Sequence, residues 1–81
     1  MHEVFHDYTV YVGSKENYIA QVLTYTRDNA IRIANALSYQ FPDFPITVEE
    51  WRFVVSPNFL ESGLFKGEVI NIPALTKKEA A

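Results

Sequence analysis

The residues with the most chemical promise come first, His2-Glu3-Val4-Phe5-His6. They match H-E-x-x-H, in which a helix sets two histidines one turn apart to hold zinc while the glutamate serves as general base. Here the motif runs straight into Asp7-Tyr8-Thr9-Val10-Tyr11-Val12, whose aromatic and β-branched residues favour a strand. On a strand the two histidines stand about 13 Å apart, too far to share one ion. The sequence holds two histidines and no cysteine, so a thiolate zinc site and a cysteine nucleophile are both excluded. Glu49 and Glu50 are strand neighbours whose side chains point to opposite faces, so they cannot form a carboxylate dyad; a solvated strand edge is expected there. Gly13, Gly63 and Gly67 fit neither a phosphate-binding loop nor a dinucleotide fingerprint. The residues therefore predict a protein that is not an enzyme and carries no cofactor and no metal.

The elements around these residues decide what remains. Phe5 to Val12 reads as a strand, with Tyr8, Val10 and Val12 on one face and Asp7, Thr9 and Tyr11 on the other. Gly13-Ser14-Lys15-Glu16-Asn17 is a hairpin turn. Tyr18 to Tyr25 follows as a second strand, whose Ala20, Val22 and Thr24 are small enough to lie under a helix. Thr26 is the expected N-cap of that helix, accepting from the N–H of Asn29, and Asp28 suits the first turn. Ala30, Ile33, Ala34, Leu37 and Phe41 form one apolar stripe, and Pro42 stops the helix. Ile46 to Val55 is the third strand. Ser56, Pro57 and Gly63 have the spacing of a short helical turn, Lys66 to Ile72 is a last strand, and residues 74–81 read as a frayed tail.

The predicted fold is therefore α+β, a two-layer sandwich in β-β-α-β-β order. One main helix lies across a mainly antiparallel sheet of about four strands, all within a single domain spanning residues 1–81. Such a helix shields one face, expected to carry Tyr8, Val10, Val22 and Trp51. Tyr11, Ile19, Leu23 and Tyr25 then lie on the uncovered face.

Composition points the same way. The chain has 81 residues, 48% hydrophobic and 15% aromatic, and a formal net charge of −3. That is the balance of a folded domain rather than a disordered one. The charge gives no basic stripe of the kind that phosphate neutralisation requires, so nucleic acid is not the expected partner. The start of the chain lacks a signal-peptide pattern and no apolar run approaches a bilayer span. A cytoplasmic protein without membrane contact is expected. Tyrosine and tryptophan carry much of the energy of protein interfaces, so the uncovered aromatic face, or an edge strand, predicts a small protein–protein interaction module, with a homodimer as one form of it. Size, acidity and element order together resemble small virus-encoded inhibitors of bacterial defence complexes, the anti-CRISPR-like proteins. The resemblance is one of architecture and implies a protein partner of the host; a nucleic-acid-binding accessory protein is the remaining alternative.

Overall fold

The computed structural model describes residues 3–58 and 62–76. Strand β1 spans Glu3–Gly13, β2 Tyr18–Thr24, helix α1 Arg27–Gln40, β3 Ile46–Val55 and β4 Gly63–Ile72. The four strands form one antiparallel sheet in the order β2-β1-β3-β4, with α1 on one face. This is the two-layer α+β arrangement in the expected element order.

The local signals act as read. Thr26 is extended and its Oγ1 accepts from the Asn29 N–H at 3.3 Å. At the other end the Phe41 N–H donates to the Leu37 carbonyl before Pro42. The helix rests on Ala30, Ala34 and Ser38, all buried, with Ile33, Leu37 and Phe41 half-buried along its flanks. Two of the three contact residues lack atoms beyond Cβ, so the backbone settles close over Val10, Val12, Ile46 and Val48. Those four are the largest apolar side chains that are fully enclosed, each worth about 1.5–3 kcal/mol of transfer energy.

Register decides the faces. Val10 pairs with Val22 on one side and Val48 on the other, and Val12 pairs with Ala20 and Ile46. The Ala20, Val22 and Thr24 face of β2 lies on the helix side of the sheet and is half-buried, with Ala20 packed against the core, while α1 itself rests on β1 and β3. Trp51 does not face the helix: it lies opposite Asp7, on the uncovered face, because β3 turns its even-numbered residues inward. Glu49 and Glu50 are both buried, not the solvated edge expected of them.

Two bulges break the alternation on which a sequence reading depends. Between the pairs Val12–Ala20 and Gly13–Tyr18, β2 has one residue more than β1. Between Glu49–Val69 and Trp51–Lys66, β4 has one residue more than β3. Each extra residue reverses which side the following side chains take. Gly13, at φ 112°, occupies backbone space that favours glycine and closes the hairpin.

The molecule measures 53 × 22 × 21 Å and its radius of gyration is 15.0 Å, against about 12 Å for a compact chain of this length. The physical reason is a mismatch of lengths. The helix is about 21 Å long, whereas β1 runs about 36 Å. The ends of β1, β3 and β4 near Glu3, Val55 and Gly63 therefore extend as a three-stranded arm beyond α1. Gly63 opens β4 rather than ending a helical turn; residues 59–61, the rest of that expected turn, lie outside the described residues. Ala74 is buried, and the Thr76 N–H donates to the Pro42 carbonyl at 3.2 Å, so these residues of the predicted tail are docked. The remainder, 77–81, lies outside the described residues.

Candidate functional site

The uncovered face has three parts. At the β2 side, Ile19, Leu23 and Tyr25 are well exposed, Tyr25 at 68%. Tyr11 shares this face but is only 8% exposed. The cause is the bulge at Ile19, which brings Tyr18 to the Tyr11 side of the sheet; the two rings stand 5.2 Å apart at a tilt of 51°. Tyr11 is thus a shielded packing residue, while the other three present their surfaces to solvent.

The middle of the face is polar and closed. Trp51 Nε1 donates to Glu49 Oε1, Lys15 Nζ sits 3.5 Å from the same oxygen, and Lys66 Nζ lies 3.8 Å from Oε2. Lys15 also stands 5.3 Å from the Trp51 ring centroid, a cation–π distance. The hairpin lysine and the tryptophan together bury the Glu49 carboxylate.

The arm carries the third part. Phe5 pairs with Phe53, and Phe53 with Leu64, so three large apolar side chains form a row across β1, β3 and β4 on one face. Phe5 is 54% exposed, and Phe53 and Leu64 are comparably open. On the other side of the arm, beyond the reach of α1, Val4 and Phe65 are also exposed. Sequence pattern alone does not reveal this row. Phe5 and Phe53 both fall in strand patterns, but their apposition depends on register. Leu64 precedes the residue at which the last strand was expected to begin.

On the helix side, where the arm meets the core, the side chains close around Glu50. Its carboxylate accepts five hydrogen bonds from four residues: His6 Nδ1 at 2.9 Å, Tyr8 OH at 3.1 Å, Arg52 Nε and Nη2 each at 3.3 Å, and the Glu68 backbone N–H at 2.9 Å. The β4 bulge offers that N–H, and Gly67 leaves room for the carboxylate, because a Cβ there would collide with Glu50 Oε1. The Glu68 N–H is the main cause that lowers the Glu50 pKa to about 2; burial opposes it, and Arg52, His6 and Tyr8 add to it. An ionised carboxylate only accepts, so His6 Nδ1 carries the proton in this pair. Burial, with Glu50 beside it, pushes the Tyr8 phenol up.

A carboxylate saturated in this way has no free lone pair for substrate or metal, and its chemistry is to neutralise and join three strands. Among the described residues no three His, Asp or Glu side chains gather as metal ligands. His6 sits on β1 within the Glu50 cluster, and His2 lies outside the described residues. An open hollow of about 180 Å³ lies between Glu3, Val55, Ser56 and Pro57 at the tip of the arm, smaller than the roughly 300–1,000 Å³ of small-molecule sites. What remains open among the described residues is the apolar surface of β2 and that of the arm, on either side of the polar middle. No protein-family model, no curated protein and no solved structure matches this chain.

Proposed function

We propose that this chain is a small non-catalytic protein–protein interaction module that works through the uncovered side and the edges of its sheet. The observation that carries the reading is the row of Phe5, Phe53 and Leu64, set in cross-strand register on the face away from the helix and left without cover. Large apolar side chains grouped in this way mark contact surfaces rather than ordinary solvated ones. Nucleic acid is less well served, because all three arginines are engaged within the chain: Arg27 by Glu68, Arg32 by Asn29 and Arg52 by Glu50. No helix among the described residues is long and apolar enough to cross a membrane, and a cytoplasmic setting suits a chain that uses no cysteine.

Self-association is a second reading, favoured by β2. Its seven residues carry no charge. Paired antiparallel with a second copy about Gln21, it sets Ile19 against Leu23 and Ala20 against Val22. An uncharged edge lacks the usual protection against such pairing.

The test is light scattering over a concentration series together with capture from the native lysate, using the wild type, Phe53→Ser and Leu23→Lys. The expected result is a specific partner or a dimer, lost in one variant whose circular dichroism is unchanged. A monomer at every concentration that retains no partner overturns the proposal.

A further inference from the structure

We propose that the free edge of β1 at Glu3–Asp7 receives an extended segment of a partner protein in which two basic residues flank one apolar residue at alternate positions. This rests on the interaction-module reading and names the partner chemistry for one edge. β2 pairs with β1 only as far as Thr24–Tyr8. From Asp7 down to Glu3, β1 is held by β3 on one side and has no strand neighbour on the other among the described residues. A partner strand placed there continues the row of β2.

The ladder shows which groups wait at this edge. The Gly13 N–H donates to the carbonyl of Pro45, the residue directly opposite. Antiparallel ladder bonds alternate, and the β1–β3 register runs unbroken from Val12 to Glu3. Odd-numbered residues of β1 therefore bond to β3, and the even-numbered Val4 and His6 turn their N–H and C=O groups to the free edge. Glu3, Phe5 and Asp7 then present their side chains on the uncovered face of the arm, continuous with Phe53 and Leu64.

Charge selects the occupant. Glu3 and Asp7 have no ion-pair partner among the described residues and stand on either side of Phe5. A second copy is disfavoured, because the antiparallel register that uses all five residues sets Glu3 against Asp7 twice, and like charges directly opposite are destabilising. A segment with lysine or arginine opposite Glu3 and Asp7 and an apolar residue opposite Phe5 satisfies both charges. It also extends the Phe5–Phe53–Leu64 row by one side chain. The outer edge of β4 is less suited, being interrupted by the bulge at Gly67 and Glu68.

The experiment is an NMR titration of the whole chain with a capped peptide, Thr-Lys-Thr-Phe-Thr-Lys-Thr, and with its counterpart carrying Glu in place of both Lys. The basic peptide is expected to shift and protect the Val4 and His6 amides and to bind at least tenfold more tightly than the acidic one. Val4→Pro removes an outward N–H without touching the β3 ladder, and it should weaken binding at least tenfold. The double substitution Glu3→Lys with Asp7→Lys should reverse the peptide preference, which keeps the test decisive if Val4→Pro disturbs the fold. Unmoved Val4 and His6 amides at millimolar peptide, equal binding of the two peptides, or an unreversed preference each overturn the proposal. If a native partner is then still retained by the wild type and lost on Phe53→Ser, only the edge assignment falls; if no partner is retained either, the interaction-module reading falls with it.

Discussion

Gly67 and Glu50 share one volume: the space in which a side chain on Gly67 would begin is filled by the Glu50 carboxylate. The bulge that places Gly67 there also aims the Glu68 N–H at that carboxylate. A buried charge and a strand irregularity, each costly alone, thus stabilise one another.

Gly67→Ala tests this coupling. Glu50 is tied by four residues and cannot swing aside freely, so the new methyl must displace a bonded carboxylate or shift β4. A loss of about 1–3 kcal/mol is expected, the cost of leaving a buried polar group poorly satisfied. In a domain of this size that lowers the melting temperature by several degrees or more, read by thermal circular dichroism.

Acid should weaken the fold through the same group. Glu50 titrates at about 2 in the folded protein against 4.5 for the unperturbed side chain. A lowered folded pKa means that the unfolded chain binds the proton first as pH falls. The stabilisation is complete above about pH 4.5 and declines as pH drops toward 2. Urea unfolding at pH 6, 4, 3 and 2.5 should follow this decline, and Glu50→Gln should be less stable at pH 6 and flatter across the acid range. A wild-type decline as shallow as that of Glu50→Gln would remove Glu50 as its source.

Tyr8→Phe removes the hydroxyl that donates to Glu50 Oε2 but keeps the ring in the core. Four hydrogen bonds to the carboxylate remain, so the cost should be about 0.5–1.5 kcal/mol, well below that of Glu50→Gln. In the wild type the Tyr8 phenol should ionise above the usual 10. The difference ultraviolet spectrum of wild type against Tyr8→Phe through alkaline pH reads that transition directly.

Tyr11 and Tyr25 should separate stability from binding. Tyr11 is enclosed beside Tyr18, so Tyr11→Ala opens a cavity and should cost about 3 kcal/mol or more. Tyr25 lies in solvent, so Tyr25→Ala should change stability by no more than about 0.5 kcal/mol. Denaturant midpoints measured on both variants check the contrast. It follows that Tyr25→Ala, with Ile19 and Leu23 variants, is the clean probe of the β2 surface, and Tyr11→Ala is not.

Much of this protein was legible along the chain because its signals act over a few residues. The Thr26 cap, the stop at Pro42, the hairpin at Gly13 and the span of β3 all follow from contacts within a turn or from simple alternation. So did the order of elements and the division of β1 into a helix face and an open face. The tertiary structure decided whatever depended on pairing distant segments. One extra residue in β2 moved Tyr18 onto Tyr11, and one in β4 made a cradle for Glu50. Register placed Trp51 outside with Lys15 over it, and it lined up Phe5, Phe53 and Leu64 across three strands on the face away from the helix. A strand repeats every two residues, so a single insertion exchanges its faces, and no local pattern records where the partner strand absorbs it.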